Sequence, residues 1–242
     1  MRFTKWYADC VTPEGALFIG YVAHLTWGPL RLAYVGALES PAPGEPLSQR
    51  QSWRHGRLEV DAAGVRLLAP RLGVRGTWTG GVGTPPHRIV DGRDGLVTWQ
   101  ALRLAATAEV TSQERTYRGA GYAEVVRMTL PPWRLPFTDL DWGRFVADDA
   151  TTAHTWTRTD GRDVVTVTHP AGAHDLTWGA DNPIRVERVA RTLFGRLTPF
   201  AARLLPRKVR HLHEAKHLAR GRLSVDGVAH AGWVIHEQVR FG

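Results

Sequence analysis

The 242-residue chain has one cysteine, Cys10, and two methionines. A single thiol excludes an internal disulfide and a cysteine-clustered zinc site. No apolar run reaches the roughly 18 residues that a membrane-spanning helix needs. The first residues, Met1-Arg2-Phe3-Thr4-Lys5-Trp6, lack the apolar core of a secretory signal, so a cytoplasmic location is expected. There is no P-loop, no Gly-x-Gly-x-x-Gly opening a helix and no Gly-x-Ser-x-Gly elbow. Nucleotide cofactors and an α/β-hydrolase mechanism are therefore not implied. Acidic residues are the minority, 23 against 31 basic, for a net charge of +8. The basic residues are spread along the chain and densest from Arg203 to His217. No nucleic-acid-binding pattern accompanies them, so no nucleic-acid partner is expected.

Hydrophobic residues make up 43% and charged residues 22%, the balance of an ordinary globular chain. The 25 glycines and 15 prolines predict frequent turns. The ten tryptophans are dispersed, mostly in strand-like segments. Such rings either fill a wide β core or line a cavity for a large apolar ligand.

The dominant period is two. Strands are expected at 16–27, 29–38, 57–61, 64–69, 75–79, 95–101, 103–112 and 117–130. Others follow at 142–148, 152–158, 163–168, 174–178, 218–225 and 228–241. The stretch 39–50, with Pro41, Pro43, Gly44 and Pro46, reads as a loop. Asp160-Gly161 and Asp226-Gly227 sit between runs as hairpin turns prefer. One segment breaks the pattern. Val186, Val189, Leu193 and Leu197 fit one helical face, and Asn182-Pro183 and Thr198-Pro199 are helix starts. Two short helices are expected, at 183–196 and 199–205. Their basic face is either solvated or a peripheral membrane contact.

Two carboxylates share a strand face with apolar residues: Glu124 with Tyr122, Val126 and Met128, and Glu237 with Trp233, Ile235 and Val239. Both should point inward, where burial raises a carboxyl pKa unless a cation sits beside it. A protonated interior acid can serve as a general acid. The alternative is a structural ion pair, with Arg144 the natural partner of Glu124. His211, His213, Glu214 and His217 cluster without clear ligand spacing, so no metal is expected.

Three segments resemble a known family. They are Lys5-Trp6-Tyr7-Ala8-Asp9-Cys10 with Leu17-Phe18-Ile19-Gly20-Tyr21; Gly119-Ala120-Gly121-Tyr122-Ala123-Glu124 with Leu135-Pro136, Leu140 and Trp142-Gly143-Arg144-Phe145; and Gly232-Trp233-Val234-Ile235-His236-Glu237. Together they resemble the lipocalin-like family around carotenoid 1,2-hydratase, with its related cyclases and Diels–Alderases. The hydratases carry His-Asp-His after Gly-x-x-Tyr. Here Ala123-Glu124-Val125 follows, and Glu124 takes the acidic place.

The resemblance implies an all-β fold of two lipocalin-like halves, 1–115 and 116–242, with the helical insert at 183–205 in the second. It implies a hydrophobic small-molecule partner in a β-barrel cavity. The expected chemistry is isomerisation, cyclisation or hydration of an isoprenoid- or polyketide-like molecule without a cofactor. Glu124 is the expected acid, with Arg144 and Tyr122 positioning it. Trp142 and Trp233 would shape the pocket and face a developing cation. Glu237, Tyr21 and Met128 are the remaining candidate ligand contacts. A non-catalytic carrier of a hydrophobic ligand is the alternative.

Overall fold

The computed structural model describes residues 1–188 and 206–242, apart from 44, 46 and 55. These residues form an all-β fold of two antiparallel sheets, as the resemblance implied. The first sheet holds β1 (Arg2–Val11), β2 (Leu17–Trp27), β3 (Leu30–Ser40), β4 (Ser48–Ser52), β5 (Arg57–Val60), β6 (Gly64–Ala69), β7 (Val74–Thr79), β8 (His87–Gly92), β9 (Gly95–Ser112) and β10 (Arg115–Met128). Its order is β4-β3-β2-β1-β10-β9-β7-β6-β5, and β8 also pairs with β9. The second holds β11 (Asp139–Ala147), β12 (Ala153–Thr159), β13 (Arg162–His169), β14 (His174–Trp178), β15 (Asn182–Arg188), β16 (His213–Val225) and β17 (Val228–Arg240). Its order is β13-β12-β11-β17-β16-β14, and β15 also pairs with β16. The strand Arg115–Met128, expected to open the second half at 116, is hydrogen-bonded into the first sheet.

Both predicted Asp-Gly turns are present. Asp160 and Gly161, and likewise Asp226 and Gly227, all have positive φ, the conformation that tight hairpins require. The expected loop at 39–50 is shorter, because Ser48–Ser52 pairs with β3.

The helical expectation fails where it can be seen. Residues 182–188 form β15, paired antiparallel with β16 from Asn182↔Leu218 to Arg188↔His213. Val186 fits both periods, but Ile184-Arg185-Val186-Glu187 alternates in steps of two with β-branched residues, and pairing with β16 decides it. Pro183 is tolerated because β15 has one strand neighbour and a register shift beside it. The rest of that expectation, 189–205, lies outside the described residues. A short helix, α1 (Arg207–Arg210), follows Pro206.

Each sheet has two buried faces. In the first, Ala8, Cys10, Phe18, Val22, Val35, Leu67, Trp78 and Val125 form a core inside its own curl. The curl brings β2 against β6: a Cβ on Gly20 would meet Cδ2 of Leu67 at 2.6 Å. In the second, Phe145, Trp156, Leu223 and Val234 cluster on the face turned away from the first sheet. There Trp156 lies flat on Gly143, where a Cβ would come within 2.0 Å of its ring. The glycine of Trp142-Gly143 is thus needed for close approach. The remaining faces of both sheets join in a third core, including Tyr7, Tyr21, Trp99, Tyr122, Trp142, Leu218, Trp233 and Ile235.

A candidate acid site between the sheets

The candidate site lies in this inter-sheet core. In β10 the alternation sends Ala123 and Val125 into the curl and Tyr122 to the second sheet. Glu124 follows Tyr122. It therefore lies between the sheets rather than inside either curl. Across the first sheet it stands opposite Tyr7 in β1 and Ala101 in β9, and Tyr7 stands opposite Tyr21 in β2. The β9–β10 pairing shifts register at Gly121/Ala123 and Ala123/Glu124, so a bulge flanks the acid. Bulges recur next to sites where a side chain must be re-aimed.

Glu124 is 7% exposed. Its Oε2 accepts hydrogen bonds from the Tyr122 hydroxyl at 2.9 Å, from Trp142 Nε1 at 3.1 Å and from Trp99 Nε1. None of the ion pairs among the described residues includes it. Burial pushes its carboxyl above the usual glutamate range. The bonds from Trp99 and Tyr122, the charge of Lys5 and the bond from Trp142 oppose that without reversing it. The phenols of Tyr7 and Tyr122 are raised well above the ordinary tyrosine value, chiefly by burial, and stay neutral. The Tyr7 hydroxyl is buried and makes no hydrogen bond of acceptable geometry.

Arg144 does not pair with Glu124, contrary to the sequence expectation. It is fully buried, and its Nε donates to Oδ2 of Asp9 at 3.0 Å while Nη2 donates to Oδ1. Its Nη1 donates to the carbonyl of Trp233 at 2.7 Å. Burial works against the guanidinium charge, and Asp9 more than offsets it, so its pKa is raised. The mispairing has a physical reason. Asp9 is on β1, one inward position beyond Tyr7, and sheet packing rather than strand alternation brings it over β11.

The other expected residues divide. Trp142 touches the acid, and its ring stands 5.1 Å from that of Tyr7. Tyr21 meets Tyr7 edge-on at 5.6 Å, with Lys5 Nζ 4.9 Å above its ring. Glu237 stands opposite Trp142 and is ion-paired with Lys216, whose side chain is fully buried. Burial disfavours that ammonium, but Glu237, Tyr21 and Glu214 outweigh it and raise its pKa. Lys216 Nζ is 5.8 Å from the Trp142 ring and 5.9 Å from that of Tyr7. Met128 sits in a neighbouring apolar cluster with Leu130, Leu135 and Phe137, edged by half-buried Val126, Ile89 and Leu140. Trp233 packs elsewhere, under Arg220 at 4.7 Å and beside Gly15.

Sequence reasoning missed Tyr7, Asp9, Trp99 and Lys216. A signal existed for β1, where Phe3, Lys5, Tyr7, Asp9 and Val11 share a parity. Two surface depressions, of about 630 Å³ around Arg50 and Arg71 and about 450 Å³ around Asp139 and Arg158, include none of the residues around Glu124. The immediate surroundings of the acid are aromatic side chains. Away from the acid, on the far face of the second sheet, Asp181, His217 and His236 offer ligand atoms within 4.8 Å of one another.

No family model and no curated protein matches the chain. Solved structures do. The structure of CghA with Sch210972 aligns over 100% of this chain and 89% of that one, at 12% identity and a TM-score of 0.56. The chain has the fold of CghA. The alignment covers both sheets. Kievitone hydratase from Nectria haematococca aligns over 99% of this chain and 89% of that one, at 9% identity and a TM-score of 0.49.

Proposed function

We propose that this protein is an enzyme that transforms a lipophilic small molecule by proton transfer from Glu124. The observation that carries the reading is a buried carboxyl with no ion-pair partner among the described residues, raised in pKa and held by three neutral donors on one oxygen. With Oε2 occupied, the proton rides on Oε1. Transfer of that proton to an alkene or enol carbon forms the new C–H bond and leaves a carboxylate and a substrate cation. The faces of Tyr7 and Trp142 stabilise such a cation. Return of a proton from a neighbouring carbon to Glu124 completes an isomerisation. Capture of the cation by an internal double bond before that return gives a cyclisation, and capture by water, which then gives a proton back to the Glu124 carboxylate, gives a hydration. No electrons leave the substrate, so no redox partner is required.

Val126, two residues along β10 from Glu124, packs with Ile89 and Leu140 against the apolar cluster of Met128, and such surroundings suit a lipophilic substrate. CghA, which shares the fold, was solved with the small molecule Sch210972, and this supports small-molecule binding. Tyr122, Trp99 and Trp142 are positioning residues here. Arg144 belongs to the scaffold.

Native mass spectrometry of the protein from its own source identifies the co-purifying lipophile. That molecule is then incubated with wild type and Glu124→Gln. The expected result is turnover by wild type and a loss of about 10²–10⁴-fold in the variant, with binding retained. Recovery of the molecule unchanged after incubation with wild type would make the protein a carrier instead.

A further inference from the structure

Adjacent residues on a strand face opposite ways. Lys216 and Glu237 pair toward the first sheet, so their neighbours His217 and His236 pair on the far face. The two imidazoles are cross-strand partners, stacked at 4.9 Å with their planes 24° apart. Asp181, immediately before β15, places Oδ1 2.9 Å from Nε2 of His236. Trp178 closes one side, its ring 5.7 Å from that of His236. We propose that Asp181, His217 and His236 form a binding site for a divalent ion of the zinc class.

Three observations support it. One ligand atom from each residue lies within 4.8 Å of the others. In a tetrahedral site with bonds of about 2.0–2.2 Å, ligand atoms stand roughly 3.4 Å apart, so modest side-chain rotation of the three residues assembles the site. Second, Nδ1 of His217 is buried with no hydrogen-bond partner. The Asp181–His236 bond accounts for two of the three residues and leaves this atom unsatisfied, which is unusual and costly. Third, the Asp181 side chain is 40% exposed, which gives an ion a way in.

The donor set is two imidazoles and one carboxylate, which suits zinc and its neighbours and leaves a position open to water or another ligand.

The test is calorimetric titration of chelator-treated full-length protein with zinc chloride, on wild type, His217→Gln, His236→Gln and Asp181→Asn. His154→Gln serves as the control, since His154 and His174 form a separate imidazole pair 4.5 Å apart. Wild type and the control should each bind one equivalent. The three ligand variants should bind at least about 100-fold more weakly, beyond what losing an outer-shell partner costs. Melting curves without metal show whether each variant is folded, and Asp181→Asn, at an exposed position, keeps the test decisive if a histidine variant unfolds. No uptake by wild type, undiminished uptake by the folded ligand variants, or loss in His154→Gln alone would overturn the assignment.

Discussion

Trp142, in the second sheet, donates its indole N–H to Oε2 of Glu124, in the first, across 3.1 Å. This hydrogen bond, one of three on that oxygen, ties the acid to the second sheet. Trp142→Phe keeps an aromatic ring but removes the donor and the second ring of the indole. Stability should fall by about 1 kcal/mol for the hydrogen bond and further for the void left behind. The Glu124 pKa should rise further, because the lost bond is one of those opposing burial. Melting curves and a carboxyl titration of the variant check both outcomes.

Asp9 and Arg144 form a pair with no exposed side-chain surface. Arg144→Met leaves a carboxylate buried without its cation, and the expected loss is about 3–5 kcal/mol. The Asp9→Leu, Arg144→Met double variant should recover most of it, because neither charge is then left alone. Denaturant unfolding of the three proteins measures the coupling. A double variant as unstable as the two singles summed would show that the pair is not a unit.

Glu124 also sets a pH dependence. Its folded pKa lies above the roughly 4.3 of a free glutamate. Between those values the native state holds a proton that the unfolded chain has released. The contribution is full below about pH 4.3 and declines as pH rises through the folded pKa. Glu124→Gln removes this slope. The melting temperature of the variant, relative to wild type, should therefore climb as pH is raised from 4 to 8. Parallel curves would deny the shift.

Where neighbours along one strand decide the outcome, the sequence was readable. Asp226-Gly227 marks its turn because few residues adopt two successive positive φ angles. The inward parity of Glu124 follows from Tyr122 and Val126 beside it. What depends on one strand lying over another was not readable. Asp9 and Arg144 are 135 residues apart and meet only because the sheets pack. Lys216 escaped notice because its strand was expected to begin at 218, whereas β16 begins at His213 and sets Lys216 opposite Glu237. At 182–188, Val186 satisfied both a helical and a strand period, and a neighbouring strand made the choice.

Proton donation by Glu124 requires a carboxyl that burial raises above the usual glutamate range. Carbon-13 NMR of protein labelled at the glutamate side-chain carboxyl carbon measures this directly. The signal absent from Glu124→Gln belongs to that residue. It should titrate with a midpoint above the roughly 4.3 of a free glutamate. A midpoint at or below that value would mean that the three donors outweigh burial, that Glu124 is a carboxylate at neutral pH, and that it is not the proton donor.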